Sequence, residues 1–222
     1  MLAFFHFRGF PLEVFRSPIF WICLIYTALG VVGGLLYAWR IAPAEWSSFS
    51  LPAVETVLFG AGVTLGTVFL VVGGNLLVLR HWRALQRAQF DLVEAIGQPS
   101  LWGILALGFF SAVGEEIFFR AYLQRDIGLL FSSLIFGLVH VPPKRSWWAW
   151  PIFAALMGLL LGWLHAFTQS LLLPILLHGA INALNFAIAV GFVRQGHRRG
   201  GRSLPKPEDR FDDTPGPAED GK

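Results

Sequence analysis

Apolar residues in this chain come in long, nearly unbroken runs. Four of them, Ile19 to Trp39, Val54 to Leu79, Leu101 to Phe119 and Leu171 to Val193, are each long enough to cross most or all of a hydrocarbon core of about 30 Å. Two more, Ile127 to Val141 and Trp150 to Phe167, are shorter or interrupted by a histidine, yet reach most of the way. Six spans are expected. Between the second and third, residues 81 to 98 read HWRALQRAQFDLVEAIGQ, with apolar residues at 82, 85, 92, 93 and 96 among the charges. That pattern predicts an amphipathic helix lying at the membrane interface, ended by Gly97 and Pro99. Residues 194 to 222 are rich in Gly, Pro and charge, with almost nothing to bury, and read as a disordered tail. The expected fold is an all-α, polytopic transmembrane helix bundle. Residues 1–96 hold two spans and the interfacial helix, 97–193 a core of four spans, and 194–222 the tail.

Composition places the chain in lipid. Hydrophobic residues make up 55% and charged residues 14% of the 222, and the mean hydropathy is +0.60, whereas soluble domains carry about a quarter charged residues. The first run is too long for a secretory signal and has no clean small-residue cleavage site. Basic residues flank the runs on alternate sides: Arg8 and Arg16, then Arg80, Arg83 and Arg87, then Lys144 and Arg145, then Arg194, Arg198, Arg199 and Arg202. With six crossings all four clusters fall on one side, so both termini are expected in the cytoplasm. The opposite loops carry only Arg40 with Glu45, and Arg125 with Asp126. The calculated pI of about 9.4 is thus accounted for by topology, and no nucleic-acid recognition motif accompanies it. Cys23 is the single cysteine, which excludes an internal disulfide and any multi-thiolate metal site.

Ionisable groups inside a bilayer are costly and face a cavity or one another. Here they are Glu115, Glu116 and Arg120 on the third span, His140 ending the fourth, His165 late in the fifth, and His178 with Asn182 and Asn185 on the sixth; Asn75 adds an amide to the second. Glu116 and Arg120 are four apart and can pair across one helical turn. Glu115 points about 100° away and needs another partner. If the third and fourth spans turn near Ile127 and Gly128, Glu115 and His140 lie at one level, about 18 to 19 Å down their helices. His178 lies roughly 12 Å below its own turn near Gln169 to Leu171. His178 and Asn182, four apart, present an imidazole and an amide on one face. His165 reads as an ordinary interfacial residue, and Asn75 and Asn185 as interhelical hydrogen-bonding residues.

A carboxylate, two imidazoles and an amide in a partly dry cavity are the parts for activating water. An amide donor near the attacked carbonyl can stabilise the oxyanion. No GxSxG, Ser-Lys pair, aspartate pair or HExxH motif occurs within the spans. The set Glu115-Glu116-x-x-x-Arg120, Phe136-x-x-x-His140 and His178-x-x-x-Asn182, in order and on separate spans, resembles the CAAX protease and bacteriocin-processing (CPBP or ABI) family of intramembrane proteases. The resemblance covers about residues 97 to 192. It implies that Glu115 activates water, that His140 and His178 orient it, that Asn182 helps hold the oxyanion, and that Glu116 and Arg120 order the site. Two mechanisms follow from it. A glutamic one needs no cofactor, and is favoured because a metal-bound Glu115 would not be free as base; a zinc one would use Glu115, His140 and His178 as ligands. The implied substrate is a membrane-embedded or lipid-anchored protein or peptide, met in the lipid bilayer, with no nucleic acid. Six spans and the absence of an organelle signal favour the inner membrane of a bacterium, where trimming of leader peptides or sorting tails is the expected role. Two other classes share some of these features: a non-proteolytic scaffold or immunity protein, and an ion-coupled transporter. Against the transporter, no inverted repeat or matched pair of broken helices is visible.

Overall fold

A computed structural model describes residues 15–40, 53–97, 99–141 and 149–198. Arg8, Glu45, Lys144, Arg145 and residues 199–222 of the expected tail, Arg199 and Arg202 among them, lie outside them. Among the described residues the elements are helical: α1 (Pro18–Arg40), α2 (Val54–His81), α3 (Arg83–Ile96), α4 (Leu101–Glu116), a π-helical segment (Ile117–Leu123), α5 (Gln124–Val139), α6 (Ala149–Thr168) and α7 (Leu172–Arg198). The expected all-α bundle stands.

Five helices among the described residues are long and apolar enough to cross a membrane: Pro18–Arg40, Val54–His81, Leu101–Val139, Ala149–Thr168 and Leu172–Gly196. The third explains the difference from six. It is 39 residues long, and on a straight helix Glu115 and His140 would stand about 37 Å apart. Their side chains instead meet at 3.6 Å, and the rings of Phe119 and Phe136 are 4.9 Å apart. The chain therefore doubles back. The reversal is at Gly128, with φ 83° and ψ 168°, a region open essentially to glycine alone. The return leg, residues 129 to 139, rises about 16 Å and ends level with Glu115, so Leu101–Val139 holds both the expected third span and a short fourth one.

The ends of the helices group as alternating crossings require. Arg40 Nη2 lies 3.1 Å from Asp126 Oδ2, and Phe59 packs on Phe167 with ring centroids 5.1 Å apart, which gathers one end. At the other, α2 and α3 join at Trp82, whose extended backbone (φ −102°, ψ 101°) breaks the helix. The amphipathic α3 turns its Val93 onto Val190 and Val193 of α7, and Phe90 meets Phe192. This contact carries α7 through Arg198, so residues 194 to 198, expected in the tail, are helical.

The centre of the bundle is α4 against α7. They cross where a Cβ on Gly108 would strike the Gly179 carbonyl and Ala183. Under the α6–α7 turn Leu161, Leu164, Leu173, Leu177 and Ile181 form a buried apolar cluster. His165, expected as an interfacial residue, is half-buried under that turn, and its Nδ1 lies 3.2 Å from the Ser170 carbonyl, which it can only meet by donating. Asn75 and Asn185 make the expected interhelical bond, Nδ2 donating to Oδ1 at 2.9 Å. At the start of α4, Ser100 Oγ caps the helix by accepting from the Gly103 N–H at 3.2 Å.

Gly128→Ala is expected to destabilise the protein by about 1–3 kcal/mol. Gly62→Ala, at a helical site where nothing lies within 4 Å of the added carbon, should be neutral or stabilising by up to ~1 kcal/mol. Unfolding midpoints in detergent for the two variants would separate them, and equal shifts would refute the backbone argument.

Candidate active site

Adjacent positions on α4 send two carboxylates to different partners. Glu116 is fully buried and Arg120 is 1% exposed. The Arg120 Nε–H donates to Glu116 Oε2 at 3.1 Å, one turn along the chain. The guanidinium carbon lies 5.1 Å from the centre of the Phe136 ring and 6.0 Å from that of Phe119, so aromatic faces supply part of its lost solvation. Its Nη1 and Nη2 are buried without a hydrogen-bond partner in the protein. The pair spans the start of the π-helical segment, a feature that often marks functional sites.

The second oxygen of Glu116 accepts from His178 Nδ1 at 2.8 Å. A neutral imidazole that donates from Nδ1 has its acceptor lone pair on Nε2, and His178 Nε2 lies 3.4 Å from Glu115 Oε2. His140 follows the same rule from another direction. Its Nδ1 donates to the Phe136 carbonyl at 2.6 Å, and its Nε2 lies 3.6 Å from Glu115 Oε1. Glu115 therefore faces two imidazole Nε2 atoms, one on each oxygen. It is itself buried.

Asn182, one turn beyond His178 on α7, reaches a different neighbour. Its Nδ2 donates to Ser111 Oγ at 2.9 Å, and the Ser111 hydroxyl donates to the Gly108 carbonyl at 3.2 Å. Ser111 is four residues before Glu115, so the amide sits one turn away on the same helix face. The structure thus brings together Glu115, Glu116, Arg120, His140 and His178 directly, and Asn182 through Ser111.

Sequence reasoning did not single out Ser111, the Phe136 carbonyl or the bond between His178 and Glu116. Ser111 did carry a signal, its spacing of four from Glu115. The other two are contacts of a backbone atom and of residues 62 apart, which no spacing announces. The structure also resolves the depth mismatch, since His178 and Glu115 meet even though His178 is nearer its own turn.

Residues 97–184 match the family described as type II CAAX prenyl endopeptidase Rce1-like. This segment is similar to that family. The match agrees with the resemblance drawn from the three motifs. The chain is also similar to an uncharacterized protein, YpbD, of Bacillus subtilis (strain 168), 35% identical over 99 residues, which are 45% of this chain and 51% of that protein. The chain thus spans about half the length of this curated relative. No solved structure matches. The matched segment contains Glu115, Glu116, Arg120, His140, His178 and Asn182, and leaves α1, α2, α3 and the end of α7 outside.

Zinc would have to be held by Glu115, His140 and His178, a donor set it accepts. The Nε2 atoms of His140 and His178 lie 3.6 and 3.4 Å from the two oxygens of Glu115, so these three side chains are the ones that would hold the ion.

Removing one member of a buried ion pair leaves the other charge uncompensated, at a cost of about 3–5 kcal/mol. Arg120→Gln and Glu116→Gln are each expected to lower stability by about that much. The double variant should cost clearly less than the two singles together, measured as a double-mutant cycle of unfolding in detergent; additive losses would refute the pairing.

Proposed function

We propose that the chain is an intramembrane endopeptidase that hydrolyses a peptide bond with water activated by Glu115. The convergence of His140 Nε2 and His178 Nε2 on the two oxygens of Glu115 carries this reading. A water molecule offers two O–H groups and needs two acceptors, and a carboxylate beside imidazole lone pairs supplies them. Glu115 takes one proton as the water oxygen adds to the peptide carbonyl carbon. His140 and His178 accept from the other O–H and so aim the oxygen lone pair at the carbon. The carbonyl oxygen becomes an oxyanion, to which Asn182 donates its second amide N–H. On collapse the C–N bond breaks, the proton held by Glu115 passes to the leaving nitrogen, and acid and amine are released. Glu116 and Arg120 touch no reacting atom and act by holding His178 and α4 in place.

No metal or other cofactor takes part in this scheme. The matched segment supports a substrate that is a membrane-embedded or lipid-anchored protein or peptide, met in the bilayer. The alternation of basic clusters along the sequence supports a multi-pass protein of a bacterial inner membrane with both termini cytoplasmic.

The test is cleavage by the purified full chain in detergent, on a panel of membrane-anchored peptides, followed by mass spectrometry. Glu115→Gln is expected to lower kcat by about 10²- to 10⁴-fold, and Asn182→Ala by about 10²- to 10³-fold, with a strong chelator leaving the wild type unchanged. Activity lost to chelator and restored by zinc would replace the glutamic scheme with a metal one. A wild type that cuts nothing on the panel, or a Glu115→Gln that cuts as well as wild type, would favour a non-proteolytic scaffold.

A further inference from the structure

Asn75 and Asn185 tie α2 to α7 through their hydrogen bond at 2.9 Å. Beyond that bond, toward the end of α2 at His81, the two helices leave a groove of about 650 Å³, within the roughly 300–1,000 Å³ of small-molecule sites. Leu79 and Arg80 of α2, Ile188, Phe192 and Gln195 of α7, and Gln86 of α3 line it. Gln86 Nε2 donates to the Leu79 carbonyl at 2.8 Å, which fixes the rim across the break at Trp82. A Cβ added to Gly191, on the α7 wall, would meet nothing within 4 Å, so the protein does not fill the space itself.

Polarity along the groove is ordered. Arg80, Gln86 and Gln195 stand toward the membrane interface, where α2 ends and α3 lies, and Leu76, Ile188 and Phe192 stand about one or two turns deeper. Leu76 also lines a second groove, which follows α2 past Val72 and Phe69 to Leu65. From Leu76 to Leu65 the helix rises about 16 Å, close to the hydrocarbon thickness of one leaflet, half of a core of about 30 Å. An exposed apolar face says little by itself in lipid, since acyl tails are as apolar as leucine. A track of this length that ends on an arginine and two amides has the proportions and the polarity of one phospholipid.

Charge at the mouth selects the headgroup. Arg80, Arg83, Arg87 and Arg194 are exposed at this end of the bundle, while the carboxylates of α3, Asp91 and Glu94, come only in its second half. Among the described residues, none of the side chains lining the groove is acidic. A guanidinium offers a phosphate two parallel N–H donors, and side-chain amides can add more.

We propose that the groove between α2, α3 and α7 binds one anionic phospholipid of the bilayer, with its phosphate on Arg80, its headgroup against Gln86 and Gln195, and one acyl chain along α2 from Leu76 toward Leu65. The lipid joins the end of α2 to the end of α7. This site is separate from Glu115 and stands whether or not Glu115 is the base.

The experiment titrates dioleoyl phosphatidylglycerol or dioleoyl phosphatidylcholine into the full chain in a neutral detergent, reading retained lipid by native mass spectrometry and the unfolding midpoint by a thermal scan. Wild type is expected to retain one phosphatidylglycerol in preference to phosphatidylcholine and to unfold at a higher temperature with it, as binding to the folded state requires. Arg80→Gln should weaken phosphatidylglycerol binding about fivefold or more, and Arg83→Gln, an exposed arginine outside the lining, should weaken it much less. Gly191→Leu, which fills the groove, should abolish retention without lowering the midpoint in lipid-free detergent. Equal losses in Arg80→Gln and Arg83→Gln would overturn the proposal in favour of diffuse attraction to a basic surface. Equal retention of the two lipids would overturn it by leaving Arg80 no part, and so would a wild type that retains no phosphatidylglycerol. If Gly191→Leu does not fold, the two arginine variants still decide.

Discussion

A carboxylate inside a lipid-embedded bundle keeps its charge only where protein groups replace the water it has lost. Glu116 meets that requirement with Arg120 on one oxygen and His178 on the other, and much of the site follows from it. The ion pair holds the π-helical segment to the end of α4. Because Nδ1 of His178 is committed to Glu116, its Nε2 is turned toward Glu115. One structural carboxylate thereby sets the tautomer and the aim of an imidazole that serves its neighbour. Two adjacent glutamates, about 100° apart around one helix, can then differ completely in what they do.

His140 reaches the same state by a different device. It sits at the C-terminal end of α5, where the last carbonyls of a helix lack intrahelical partners. The backbone N–H of His140 donates to the Gly137 carbonyl at 3.1 Å, tightening the last turn, so the Phe136 carbonyl that a continuing helix would have used is left over. The imidazole Nδ1 takes it. The spacing of four between Phe136 and His140 is therefore the spacing of a helix end capped by its own terminal side chain. Gly128 makes this possible, since the return leg must begin where it does for its end to fall at the level of Glu115.

These devices differ in how far the sequence reveals them. The apolar runs, the amphipathic α3, the pair Glu116 and Arg120, and the shared face of His178 and Asn182 are all periodic features, and periodicity is what a sequence displays. The level of Glu115 and His140 was legible as well, because a hairpin has one turn and a fixed rise per residue. The true length of the return leg was not, since its apolar residues continue through Val141 past the point where the helix stops. Nor was the π-helical segment, whose residues IFFRAYL suit an ordinary helix equally well. Ser111 was overlooked because one serine in an apolar helix needs only its own backbone as partner.

Ser111 bears on the part proposed for Asn182. An amide side chain can present either its oxygen or its nitrogen, and only a donor can stabilise an oxyanion. The Ser111 hydroxyl spends its proton on the Gly108 carbonyl, which leaves its lone pairs as acceptors. Asn182 must then approach with Nδ2, so the hydrogen bonds run in one direction from the amide through the hydroxyl to the backbone and polarise one another along the way. One N–H of Asn182 is used in that chain, and the second is carried on the same planar group with its orientation already fixed. An oxyanion donor set in this way needs no reorganisation when charge develops, and that is the condition under which such a donor is worth most.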